Sequence, residues 1–254
     1  MGEVGAKLIW SPLSNLLLYG NTTRVDLAME QGVLVSLATD WSPSGSKNLL
    51  DELKVAWEIN KQREDLPDYE PFDTYTLSQM VTTNPAKTLK WQDKVGQIKP
   101  GFVADIMAFK KPLPSTKTME LHPETNPYDA LVRATVEDVS LVMVGGDPVY
   151  GDVSVMKTLK GDDYEKINIG PTAFKAIDVT KASINMGEQT FHGLINSFEQ
   201  ALQFDPAHMY AHFTGTWSRE EFDDWWQEYY AHVTEMSLDP LFVVDGHTYF
   251  DRLS

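Results

Sequence analysis

The sequence predicts an α/β unit, then a small antiparallel β module, then a helical and acidic C-terminal extension. Three observations carry this fold class. Apolar runs alternate with segments of helical spacing over residues 1–93. Short β-rich runs broken by Gly, Pro and Asp occupy residues 94–160. Residues 161–254 hold 16 acidic side chains against 5 basic ones and regain helical periodicity. The charge step places a boundary near Gly161.

Taken in order, Lys7-Leu-Ile-Trp10 is a short apolar run stopped by Ser11-Pro12, which predicts a strand leading into a loop. Asn21 to Gln31 has helical spacing through Val25, Ala28 and Met29, and Gly32 suits the C-terminal cap. Val33 to Ala38 is apolar at nearly every position, as in a buried parallel strand covered by helices on both faces, and Thr39-Asp40 follows at its C-terminal end. After the Ser/Pro/Gly loop at 42–46, Leu49 to Asn60 and Leu77 to Leu89 read as helices. Strand, helix, strand, helix is a piece of a parallel α/β fold.

The β module is expected from Val95–Gly101, Ala104–Phe109, Leu131–Val136 and Val139–Val144, with Gly145-Gly-Asp147 as a hairpin turn into Val149-Tyr150. In the extension, Gln189 to Phe204 is amphipathic. Ser218-Arg-Glu-Glu221 is a capping box that opens a helix reaching about Glu235. The aromatic stripe Phe222, Trp225, Trp226, Tyr229, Tyr230 and Val233 on that helix is expected to pack on the chain's own core; as the second choice, it is a partner-binding face.

Composition narrows the function. A formal net charge of −16 over 254 residues repels phosphate backbones and anionic lipid, so neither nucleic acid nor a membrane is expected as partner. Hydrophobic residues at 42% supply a packed core rather than a disordered chain. With no cysteine, disulfides, thiolate metal sites and a cysteine nucleophile are excluded, and any transition metal must be held by His and carboxylate. No apolar run approaches the roughly 18 residues of a spanning helix, and the opening residues lack a secretory pattern, so the expected location is cytoplasmic. Gly45-Ser-Lys47 lacks the order of a phosphate loop, and Ser42, Ser44 and Ser46 have no histidine nearby in sequence, which leaves a serine nucleophile unsupported.

Ser11-Pro-Leu-Ser-Asn15, Gly32-Val-Leu-Val-Ser-Leu-Ala-Thr-Asp40 and Asn48-Leu-Leu-Asp-Glu-Leu53 together resemble the seventh and eighth strand–loop units of the amidohydrolase superfamily, in the branch of cytosine and guanine deaminases and triazine hydrolases. Asn84-Pro-Ala86, Val95-Gly96, Lys99-Pro-Gly101 and Ala104-Asp105 are similar to that family's exit from barrel to β-sandwich, and Val142-Met-Val-Gly-Gly146 to its closing hairpin. The motifs occur in the family's order and cover about residues 1–155.

The resemblance implies the last units of a (β/α)8 barrel over 1–93, a β-sandwich module over 94–160 and an unmatched extension over 161–254. It implies a divalent metal, zinc first and iron second, whose bound water attacks a small-molecule substrate carrying a ring amine, amide or amidine. Asp40 matches the family's aspartate after strand eight, a metal ligand and proton shuttle. The residues themselves agree, since a carboxylate at the end of a buried strand is costly to desolvate without a cation. Alternatively, Asp40 only caps the loop that follows, through Ser42 or Ser44. Ser14, Asn15 and Trp41 fall at the substrate pocket on the same resemblance, although Ser14 and Asn15 also suit a plain turn. Ala38 stands where the family usually has glycine.

The family's other metal ligands, a His-x-His pair, a Lys or His and a further His from earlier strands, have no counterpart here. All six histidines, His122, His192, His208, His212, His232 and His247, lie in or after the β module. His208 and His212, four apart, are weak metal candidates, because the glutamate of a His-Glu-x-x-His motif is absent. A barrel needs about 250 residues by itself. The chain is therefore expected to be the C-terminal part of a larger metal-dependent amidohydrolase and inactive alone, with a missing N-terminal barrel portion, a second copy or its own tail folding back to cover its strands. The alternative is a non-catalytic binding or assembly module derived from such an enzyme.

Overall fold

Parallel pairing of two short strands organises the first part of the chain. In the computed structural model, the residues described are 4–41, 43–110, 126–170, 173–181, 189–202, 218, 220–225, 227–228, 243–244 and 247–248. Strand β1 (Lys7–Trp10) lies parallel to β2 (Leu34–Leu37), with Lys7 opposite Leu34 and Trp10 opposite Leu37. Helices α1 (Pro12–Tyr19) and α2 (Val25–Glu30) make the crossover between them. Helix α3 (Leu49–Arg63) follows β2 and is capped by Asn48, whose side chain accepts from the amides of Leu50 and Asp51. Trp10, Leu13, Val25, Val35, Leu37, Leu53, Val55 and Ala56 are all buried in this part of the core. β2 is buried along most of its length, as expected, whereas β1 leaves Ile9 53% exposed.

Several elements differ from expectation. The loop expected after Trp10 is α1. Pro12 takes the first helical position, where its missing N–H costs nothing and its fixed φ is preorganised. The single helix expected over Leu77 to Leu89 is two, α4 (Thr74–Met80) and α5 (Thr83–Thr88). Inside one continuous helix, Pro85 would forfeit a hydrogen bond and clash with the preceding turn; restarting at Thr83 brings it into a first turn. The strand expected over Leu131–Val136 belongs instead to the end of α6 (Pro127–Arg133), started by Asn126, whose side chain accepts from the Tyr128 amide. Burial of Ala130, Val132 and Ala134, every second residue, had imitated a strand.

The β module is present and larger than expected. Strands β3 (Ile106–Phe109), β4 (Val139–Val144) and β5 (Asp147–Asp152) are followed by α7 (Val153–Lys160), β6 (Glu165–Asn168) and β7 (Phe174–Ile177). The five strands form an antiparallel sheet in the order β3-β4-β5-β7-β6. Gly145 and Gly146 both have positive φ, 60° and 88°, which gives the two-residue turn whose twist matches the β4–β5 hairpin. Val95–Gly101 forms turns, not a strand.

The boundary expected at Gly161 falls inside this sheet. Residues 1–178 form one compact unit and residues 179–254 a second. The charge step at 161 was misleading because most of the acidic excess lies after residue 178, while β6, paired on one side only among the described residues, is polar at Glu165, Lys166 and Asn168 without cost. β7 is tied in by Lys175, which is buried and donates to the carbonyls of Glu137 and Val139 and to Asp152 Oδ1, each at 2.7 Å.

In the second unit, α8 (Phe191–Leu202) matches the expected amphipathic helix. The capping box is formed, with the Glu221 amide donating to Ser218 Oγ at 3.2 Å and the Ser218 amide to Glu221 Oε2 at 2.6 Å. Residues 220–225 and 227–228 are helical, and Phe222 is fully buried, 5.9 Å from the Trp225 ring centroid. Short strands at Val243–Val244 and His247–Thr248 pair antiparallel, so the extension is not wholly helical. The rest of the aromatic stripe lies outside the described side chains.

Candidate functional site

The ends of β1 and β2 bring together the residues that the sequence singles out. Directly after β1, the first turn of α1 carries Ser14, whose side chain is buried. Three residues beyond β2 lies Asp40. Ser14 Oγ donates to Asp40 Oδ2 at 2.6 Å and lies 3.2 Å from Ser44 Oγ. One hydroxyl therefore joins the two strand ends to the loop between β2 and α3.

Asp40 is exposed. The premise that its carboxylate is desolvated does not hold for this chain: the residue lies past the buried strand, where β2 has already opened into a loop. Its backbone has φ 60°, the left-handed region that a non-glycine residue enters at a cost. Of the capping partners expected for Asp40, Ser42 lies outside the described residues, and Ser44 Oγ lies against Ser14 Oγ, which donates to the carboxylate.

The other two pocket candidates differ from each other. Asn15 Oδ1 accepts from Thr22 Oγ1 at 3.0 Å, and Thr22 Oγ1 accepts from Trp10 Nε1 at 2.8 Å. Its amide oxygen is thus used inside the fold. Trp41 is 69% exposed beside Asp40. The loop turns tightly at Trp41, whose carbonyl accepts from the amides of Ser44 (3.0 Å) and Gly45 (2.7 Å). A Cβ on Gly45 would fall 1.7 Å from the Thr39 carbonyl oxygen, so only glycine allows this loop to pass so close to the residue before Asp40.

Sequence reasoning missed Glu52. It sits on α3 with no exposed surface, and Oε1 accepts from the Leu13 amide at 3.0 Å. Burial pushes its pKa above the ordinary 4.5, the nearby Ser46 and Leu13 groups oppose that shift, and the negative charge of Asp40 adds to it. Glu52 Oε2 and Ser46 Oγ are both buried and neither reaches a hydrogen bond of good geometry. The available signal was a glutamate between Leu50 and Leu53, on the apolar side of an amphipathic helix.

As a metal centre, the described residues are incomplete. Among them, no three His, Cys, Asp or Glu side chains come close enough to hold an ion. Asp40 supplies a single carboxylate, and His208 and His212 lie outside the described residues.

A parallel βαβ unit with its polar cluster beyond the C-terminal ends of the strands defines an α/β protein of the class that places its chemistry at that end. Residues 5–149 match the family model described as Amidohydrolase family, more than half of the chain, and the chain belongs to that family. A 5-methylthioadenosine/S-adenosylhomocysteine deaminase of Teredinibacter turnerae is 32% identical over 149 residues, 58% of this chain and 32% of that protein. A 5'-deoxyadenosine deaminase of Methanopyrus kandleri is 30% identical over 167 residues, 65% of this chain and 36% of that protein. Among solved structures, E. coli guanine deaminase superposes with a TM-score of 0.50 at 22% identity, over 59% of this chain and 34% of that one, a likeness of fold. The chain thus spans about a third of the length of the curated relatives it matches. No helix among the described residues is long and apolar enough to cross a membrane.

Proposed function

We propose that this chain carries the last strand–helix units and the β module of a metal-dependent amidohydrolase that acts on non-peptide C–N bonds of small ring compounds. The observation that supports it best is the 2.6 Å hydrogen bond from Ser14 to Asp40, which joins the ends of two neighbouring parallel strands. In this reading Asp40 is the carboxylate contributed to the metal and to proton transfer. Ser14 holds it, and Asn15 and Trp41 border the substrate. The relatives are named as deaminases of adenosine derivatives, which makes an aminopurine the first substrate class to test.

The donor set does not by itself fit a bound divalent ion. One exposed carboxylate cannot displace water from zinc, which takes three protein ligands in its catalytic sites. No catalytic step through a metal is derived for these residues. The chain alone is proposed to be inactive, with the other ligands supplied from outside it.

A chimaera tests the reading. Residues 5–149 replace the aligned segment of the Teredinibacter turnerae deaminase, and metal content and deamination of adenosine derivatives are measured. The expected result is metal-dependent turnover that Asp40→Ala lowers by about a thousandfold, in the range seen when a group that stabilises the transition state is removed. Turnover indifferent to Asp40→Ala sinks the reading, as does metal-dependent turnover by the purified chain alone for the proposed inactivity.

A further inference from the structure

We infer that Glu52 is a positioning residue: its buried carboxyl holds the first turn of α1 against the loop after Asp40 and thereby fixes the Ser14 hydroxyl on the Asp40 carboxylate. The inference deepens the proposed function, because it assigns to Asp40 a support that no motif names.

The argument starts from the open end of α1. A helix begins with amides that lack intrahelical acceptors, and a side chain at the N-cap usually takes one of them. Ser11 makes no such bond, and Pro12 has no N–H to offer. Leu13 is the first amide that needs an acceptor, and Glu52, 39 residues further along the chain, provides it. A carboxyl oxygen there also meets the positive end of the helix dipole. Ser14 follows immediately, so the bond at Leu13 fixes the backbone from which the Ser14 hydroxyl reaches Asp40.

The other side of Glu52 faces the loop. Ser46 on that loop is buried, and its polar groups lie near enough to oppose the rise in the Glu52 pKa without completing a hydrogen bond to Oε2. Glu52 thus stands between the two segments whose ends meet at Ser14 and Asp40. Leaving Oε2 and Ser46 Oγ buried without good partners is unfavourable, and a leucine at this position of α3 would avoid it. The carboxyl is kept where an apolar side chain would pack more simply, and what it supplies is the bond to Leu13.

The test uses NMR on the full chain, reading hydrogen exchange of the Leu13 amide and the 13Cγ resonance of Asp40. Glu52→Gln keeps a carbonyl at the same reach and gives Ser46 Oγ a donor, so both readouts stay at wild-type values. Glu52→Asp, one methylene shorter, and Glu52→Leu each speed Leu13 exchange by about tenfold, the loss of one hydrogen bond, and shift the Asp40 resonance. If Glu52→Leu fails to fold, the contrast between the Asp and Gln variants decides. Faster Leu13 exchange with an unmoved Asp40 resonance reduces Glu52 to a cap of α1 and overturns the inference, as does a Gln variant that behaves like the Asp variant. The metal reading is scored separately in the chimaera: turnover there that is indifferent to Asp40→Ala removes that reading and leaves the role of Glu52, which the Leu13 and Asp40 readouts of the full chain decide.

Discussion

At the scale of single residues, Asp40 and Glu52 both occupy positions that stability alone would fill otherwise. Asp40 holds φ 60°. A Cβ in that region costs about 1 kcal/mol, which glycine avoids. Asp40→Gly is therefore expected to unfold at higher urea than Asp40→Ala, by about 1 kcal/mol, while both lose the partner of Ser14. Equal stability of the two variants refutes the strain. Glu52 makes the opposite kind of prediction, in pH. Its folded pKa is raised above 4.5, so the native state binds more protons than the unfolded chain as pH climbs from 4.5 through the raised value, and stability falls across that window. Glu52→Gln removes the fall, so denaturation midpoints of variant and wild type should agree below about pH 4 and diverge in favour of the variant toward neutrality. Asp26 runs the other way. Burial raises its pKa, but the hydrogen bonds and charge of Arg24 outweigh burial and leave it lowered. Its contribution is present above 3.8 and lost as pH falls through the lowered value. A wild-type midpoint independent of pH between 4.5 and 7 would show that Glu52 is not perturbed.

At the scale of elements, the loop between β2 and α3 is set by two short-range devices. Asn48 caps α3 with two amide bonds, so Asn48→Ala is expected to cost about 1 kcal/mol while Asn48→Ser keeps most of it, read as the shift in urea midpoint. Gly45→Ala forces a Cβ into the Thr39 carbonyl and should cost more than the cap variant. Elements with local signals were legible in the sequence. β1 matched residue for residue, β2 and α3 were placed within a few residues, and the Ser218–Glu221 capping box and the Gly145-Gly146 turn formed as read. What was missed depended on partners distant in sequence. Pro12 starts a helix whose Leu13 amide finds its acceptor in Glu52, and β6 and β7 join the sheet because β5 offers an edge to β7. Around the candidate site, Ser14 and Asp40 were singled out through motif order. Their contact and the role of Glu52 were not, since neither is encoded within one segment.

At the scale of the whole molecule, an open strand and a strong net charge act against each other. Among the described residues β1 pairs only with β2, and Ile9, Leu18 and Tyr19 on β1 and α1 are exposed at 53, 57 and 75%. Such an edge and its apolar surroundings favour pairing with another chain. A net charge of −16 on every copy opposes that pairing through a repulsion that salt screens. The Debye length falls from about 30 Å at 0.01 M salt to about 8 Å at 0.15 M, shorter than the approach distance of two protein surfaces carrying spread charge. The purified chain is therefore expected to scatter light as a monomer at low salt and as a dimer or larger species near physiological salt. An acidic surface alone predicts the same mass throughout. Elemental analysis on the same samples separates the routes to a covered edge. Association without metal makes the strands the contact. Stoichiometric metal that appears with association and vanishes in Asp40→Ala means that two copies together complete the site that one chain lacks. A mass that stays monomeric across the salt series removes self-association as the cover of the β1 edge.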